Sequence, residues 1–123
     1  MERRRIVSWE NPDESRRNPA LTTGLDYLRS IKDGRVAPPP VANLLGYRIV
    51  DVDQGRAVFE LEPAEYHYNP FSTVHGGITS TLLDTSMTAA VLSTLKENFA
   101  CATIEIKVNF IRPISGRTDL IQM

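Results

Sequence analysis

The chain is poor in residues that staple, ligate metals or span membranes. One cysteine, Cys101, stands in 123 residues, so an internal disulfide is excluded; this is the usage of a reducing cytoplasm. Two histidines, His67 and His75, with that one cysteine are too few for a structural metal, and no His-Glu-x-x-His or paired-Cys pattern occurs. Gly-x-Ser-x-Gly, a phosphate-loop Gly-Lys-Ser/Thr and Gly-x-Gly-x-x-Gly are also missing. A formal net charge of −1 argues against a nucleic-acid or acidic-surface binder. The arginines of "MERRR" are followed by no apolar signal core, so the start reads as a solvated tail. The one membrane-length run, Gly76 to Leu95, holds Asp84 and many serines and threonines, too polar for an easy bilayer span. A buried globular helix is the expectation, and no membrane.

What is present is an ordinary globular composition, 41% hydrophobic and 24% charged, at a length that suits one domain with a modest core. Residues 1–20 read as irregular. Leu21, Leu25, Leu28 and Ile31 then recur at helical spacing, with Thr22 or Thr23 as N-cap and Gly34 after the last turn, predicting a short amphipathic helix. Pro38, Pro39 and Pro40 break the chain. The spacing thus divides it into an N-terminal extension, 1–40, with this helix and a Pro linker, and a domain at 41–123.

"GYRIVDVD" and "GRAVFELEP" predict two strands joined at a tight Asp-Gln-Gly turn, with Ala57, Phe59 and Leu61 on one face of the second. The long helix follows. "TIEIKVNFIRP" alternates again, placing Ile104, Ile106, Val108 and Phe110 on one side of a third strand, and "RTDLIQM" begins a fourth. Strands on both sides of one long, largely apolar helix predict an α+β fold in which an antiparallel sheet wraps that helix. A helix apolar on most sides needs cover beyond one small sheet, and a second subunit is the economical source.

The chemistry concentrates in "NPFSTVHGGITSTLLDTSMTAA". If the helix starts near Gly76, its first N–H groups lack partners and its dipole favours negative charge there. Glycine lets a substrate atom approach closely. This suits the oxygen of a carbonyl under attack, although a Gly-Gly pair also serves a tight turn or close packing. Asp84 stands eight residues on, about 12 Å along the axis at ~1.5 Å per residue. An acid or base and an oxyanion donor must both come within about 3 Å of the reacting group. One helix cannot do that; two copies packed antiparallel about a two-fold axis can, each Gly76 facing the other's Asp84. The plain alternative for Asp84 is a buried aspartate bonded to threonine hydroxyls. Thr88, one turn on, can orient water or the carboxylate, or be an ordinary helix residue. His75 and Asn69, just before the helix, can meet a substrate carbonyl or hold the turn. His67, between two tyrosines, reads as a loop side chain packed on its neighbours, and Cys101 as core. Tyr66, Tyr68, Phe71 and Met87 can line an acyl pocket or belong to the core. Arg112 and Lys107 can meet phosphates or face solvent.

This segment, with "RP" ending the next strand, resembles the active-site segment of hotdog-fold acyl-CoA thioesterases of the phenylacetate-degradation (PaaI-like) type, over about Ala37 to Pro113. The resemblance implies a hotdog fold and a homodimer or homotetramer, with the Gly76 amide polarising the thioester carbonyl and Asp84 acting from the opposite subunit. It implies that Asn69 and His75 orient substrate or water. Thr103 matches a position where some relatives carry a water-positioning serine, although alternation turns it away from the Ile104 and Ile106 face. The expected activity is hydrolysis of aryl- or medium/long-chain acyl-CoA thioesters, with no cofactor beyond the CoA carried by the substrate. Relatives continue past "RPISGRTDLI" with further strand, so the domain is expected to lack its last C-terminal strand or strands. The rival readings are a non-catalytic acyl-CoA-binding module or inactive truncated paralogue, and a dehydratase or hydratase of the same fold. Whether Asp84 is base or nucleophile stays open.

Overall fold

The hairpin is dictated by its turn. In the computed structural model, which describes residues 1–18, 21–97 and 99–123, Gly55 takes φ 77°, a left-handed value open to a residue without Cβ. Strand β1 (Arg48–Asp53) folds back on β2 (Arg56–Leu61) with Arg48 opposite Glu60 and Asp53 opposite Arg56. An irregularity between Ile49 and Asp51 shifts the register. Without it, Ile49 and Val52 would face opposite sides of the sheet; with it, both are buried beside Phe59 and Leu61. Strand β3 (Ile121–Gln122) lies antiparallel to β2, completing a sheet of order β1-β2-β3.

Helix α4 (Gly76–Leu92) packs on this sheet. Leu82, Ser86, Ala89 and, just past its end, Ser93 are buried at the spacing of one helical face. Its hydroxyls are largely spent on its own backbone. Ser80 donates to the Gly76 carbonyl at 2.9 Å, Thr81 to that of Gly77 at 2.8 Å and Ser86 to that of Leu83 at 3.1 Å. A polar composition is thereby made compatible with an apolar neighbourhood.

The predicted N-terminal helix is α2 (Gly24–Lys32), capped by Thr23, whose hydroxyl accepts the Asp26 N–H at 3.1 Å. It packs on β1 and α4, with Leu28 in the same core as Leu82 and Ile49. A Cβ on Gly24 would lie 1.9 Å from the Leu92 carbonyl oxygen, so only glycine permits this approach. The Gly24 N–H also donates to the Leu95 carbonyl at 3.2 Å.

Three expectations need correction. Residues 1–20 are not wholly irregular: α1 (Pro12–Arg16) forms behind an Asn11 cap. Its Asn-Pro-Asp-Glu start carried the signal, but a helix of this length buries nothing, so no apolar period marked it. Likewise α3 (Pro40–Leu45) begins at the last of the three prolines and ends at Gly46, φ 84°. Thr103 to Pro113 forms no ladder among the described residues. Alternation marks strand competence, but a strand exists only beside a partner, and β2 is already paired on both edges by β1 and β3. The segment instead runs antiparallel along α4, Thr103 beside Asp84 and Phe110 beside Gly76. Ile104 and Ile111 stay in the open.

Two substitutions test this packing by urea denaturation. Leu82→Ala removes a fully buried side chain and should cost about 2–5 kcal/mol. Gly24→Ala should also destabilise, against the roughly 1 kcal/mol that helix propensity alone would gain; a more stable Ala variant would refute the close approach to Leu92.

Candidate active site

The loop entering α4 is built by Asn69. Its side-chain oxygen accepts the N–H groups of Phe71 at 2.9 Å and Thr73 at 3.2 Å, and its amide nitrogen donates to the Thr73 hydroxyl at 2.9 Å. This network holds Ser72 at φ 60°, a left-handed value uncommon outside glycine. Asn69 thus holds the turn. His75 is the N-cap of α4, its Nδ1 accepting the Gly77 N–H at 2.9 Å. That bond puts the ring proton of a neutral His75 on Nε2, where it can be donated outward. With Gly77 engaged, the Gly76 N–H has no hydrogen-bond partner among the described residues. The Phe110 ring borders it, coming within 3.1 Å of where a Gly76 Cβ would stand.

Further along α4, a second group converges. The Thr103 hydroxyl donates to Oδ1 of Asp84 in a short hydrogen bond. Thr88 and Thr103 share another bond at 3.1 Å. A hydroxyl has one proton, and that of Thr103 is committed to Asp84, so Thr88 is the donor in this second bond. The chain Thr88 to Thr103 to Asp84 fixes one carboxylate oxygen and leaves Oδ2 without a partner among the described residues. The Cys101 thiol donates to the Thr88 carbonyl at 3.6 Å, tying the segment's start to α4.

Within one chain the two groups stay apart. Asp84, Thr88 and Thr103 border a cavity of about 500 Å³ between α2, α4 and the sheet. Asn69 and Gly76 border another, of about 390 Å³, beside Phe110 and Arg112. The eight-residue rise of α4 keeps them about 12 Å apart along the axis. Tyr66, Phe71 and Met87 are exposed and take no part in the Asp84 cavity. His67 is no surface loop residue: it is buried, Nδ1 accepting the Ala64 N–H at 3.0 Å and Nε2 bonded to the Leu45 carbonyl at 2.7 Å.

Residues 71–121 match the thioesterase superfamily. In structure the chain is similar to a phenylacetic acid degradation-related protein of Ralstonia eutropha JMP134, with a TM-score of 0.68 and 28% identity, covering 78% of this chain and 73% of that one. It is similar also to the PaaI protein of the E. coli phenylacetic acid degradation operon, with a TM-score of 0.61 and 26% identity over 68% and 58% of the two chains. In sequence it is 27% identical over 102 residues to acyl-coenzyme A thioesterase 13 of Homo sapiens, covering 82% of this chain and 72% of that protein. The fold is the hotdog fold of these neighbours, and the thioesterase-superfamily match lies on the segment that carries α4. Among the described residues, no helix is long and apolar enough to cross a membrane.

One residue at the Asp84 cavity escaped the sequence reading. Tyr47 immediately precedes β1, two residues before Ile49, and is buried edge-on to Phe59 with ring centroids 5.9 Å apart. The Thr85 hydroxyl reaches its phenol oxygen at a long 3.5 Å. Burial raises the Tyr47 pKa above the ordinary 10.0; the Thr85 bond opposes the shift and the charge of Asp84 adds to it. The signal was there in the alternation of Tyr47 with Ile49, but a tyrosine beside Gly46 reads equally well as a turn residue.

Two measurements check the geometry. A folded-state phenol pKa above 10.0 contributes stability that is complete below that pH and lost as pH rises through and beyond it. Tyr47→Phe should therefore make alkaline destabilisation above pH ~10 less steep. His75→Ala should cost about 0.5–2 kcal/mol as a lost N-cap, and His75→Asn should recover most of it.

Proposed function

We propose that the chain hydrolyses acyl-CoA thioesters as a homodimer or higher homo-oligomer. The observation that carries this reading is the Asp84 carboxylate, one oxygen held by Thr103 and the other open, bordering an apolar cavity. The unpaired Gly76 N–H at the helix start supplies the complementary donor. Because α4 separates the two, the carbonyl is bound between Gly76 of one copy and Asp84 of the other. The names of the similar proteins, acyl-coenzyme A thioesterase 13 among them, support this reaction class.

In the reaction, Asp84 Oδ2 takes a proton from water as the hydroxyl adds to the thioester carbon. The oxygen of the tetrahedral adduct accepts the Gly76 N–H. The C–S bond then breaks, and the thiolate takes the proton from Asp84. A thiol of reference pKa near ~8.5 leaves tolerably as an anion, so one carboxylate and one oxyanion donor suffice. Attack by Asp84 itself, giving a mixed anhydride that water then opens, uses the same geometry. Thr103 and Thr88 orient the carboxylate, and His75 presents Nε2–H to the substrate side.

Assay of the purified chain on acyl-CoA thioesters tests this. Asp84→Ala should lower kcat by roughly 10²-fold or more, and Thr103→Val should lower it less with KM little changed. Full turnover by Asp84→Ala, or activity from a species that sedimentation shows to be monomeric, would remove the mechanism. Ligand-induced thermal stabilisation without turnover would mark a binding module instead.

A further inference from the structure

We infer that the cavity between α2 and Asp84 receives the acyl group, that it admits uncharged acyl groups only, and that Leu28 and Ile31 of α2 set which of them fit. This rests on the thioester-hydrolase reading above. The cavity, about 500 Å³, is in the range of small-molecule sites. Leu28 and Ile31 form one wall, Ile49 and Phe59 of the sheet another, and Asp84 stands at its polar end. An acyl chain whose thioester carbon lies at Asp84 has this apolar space directly beside it.

Charge gives the cavity its second property. Among the described residues no lysine or arginine borders it, and Asp84 is the only carboxylate there. A terminal carboxylate on the acyl group would be desolvated without a cation and held beside a like charge, and both effects oppose binding. The cations lie outside. A neighbouring hollow, which shares Tyr27, Thr88 and Leu92 with the cavity, is bordered by Arg16, Arg17 and Lys96 against the single carboxylate of Glu97. An apolar compartment and a basic one thus meet at Tyr27, complementary to a ligand with an apolar acyl end and a phosphorylated carrier.

The α2 wall is held in place. Gly24 sits against the Leu92 carbonyl and bonds to that of Leu95, Thr23 caps the helix, and Arg29 reaches Asp53 on β1 at 3.3 Å. A fixed wall discriminates by size, and in a fitted apolar pocket one methylene is worth about 10-fold or more.

The test measures kcat/KM for acetyl-, hexanoyl-, phenylacetyl-, dodecanoyl- and succinyl-CoA, with calorimetric binding of the matching non-hydrolysable thioethers. Wild type should favour hexanoyl- over succinyl-CoA at least 100-fold. Ile31→Trp, at a half-buried position, should lower hexanoyl and phenylacetyl efficiency at least 10-fold more than acetyl. Leu28→Ala should raise dodecanoyl relative to hexanoyl. Arg4→Ala, whose side chain pairs with Glu2 in the open, away from α2, should leave the ranking as it is. A ranking that neither α2 variant moves, with hydrolysis intact, overturns this inference and leaves the hydrolase reading standing. Thioether binding that follows the ranking without any turnover does the reverse. Succinyl and hexanoyl thioesters handled equally would refute the charge argument, and an absence of both binding and turnover would sink both readings.

Discussion

A helix holds its residues at fixed separations, and that rigidity governs this site. Gly76 and Asp84 lie on one element, and no loop motion brings them to a common atom. An unpaired amide at the helix start and a half-free carboxylate two turns later are each incomplete alone. The proposal of a second copy therefore rests on geometry before it rests on any family likeness. The antiparallel course of Thr103 to Phe110 along α4 sharpens the point, since one segment reaches both ends of the helix, supplying a hydroxyl at Asp84 and an aromatic ring at Gly76.

Polar groups are used sparingly here. The hydroxyls of Ser80, Thr81 and Ser86 bond back to their own helix, while Thr88 and Thr103 form a short donor chain that ends on Asp84. Such a chain does more than satisfy the carboxylate. It orients one oxygen and leaves the other without a competitor, which is what a group destined for proton transfer or attack requires. The reading of Asp84 as an aspartate bonded to threonine and the reading of it as a reacting group differ only in that second oxygen.

Much of this was legible beforehand, where the determinants are local. The Asp-Gln-Gly turn, the alternation in β2, the Thr23 cap and the helix from Gly76 are all consequences of neighbouring residues. The spacing of Gly76 and Asp84 was legible for the same reason. Thr103 does turn away from exposed Ile104 as alternation predicts, but Phe110, expected on the Ile104 side, reaches α4 as Thr103 does, because no ladder holds the alternation over the whole segment. What was not legible depends on distant partners. Whether 103–113 pairs is decided by which edges of β2 are taken. His67 looked like a loop residue because its second partner, the Leu45 carbonyl at the end of α3, lies 22 residues away and adds to the nearby Ala64 N–H that Nδ1 accepts. Tyr47 and α2 meet Asp84 only once the hairpin and the Gly24 contact have formed.

The approach of Gly24 to the Leu92 carbonyl has a consequence for how such a protein can change over time. The wall of the cavity and the groups at its polar end come from separate stretches of chain, joined where a side chain would not fit. Drift within α2 can remodel the compartment while Asp84, Thr88 and Thr103 stay where they are, provided that one glycine is kept. On the proposed function, repertoire and reactivity are in this sense heritable apart, and the joint between them is a single missing methyl group.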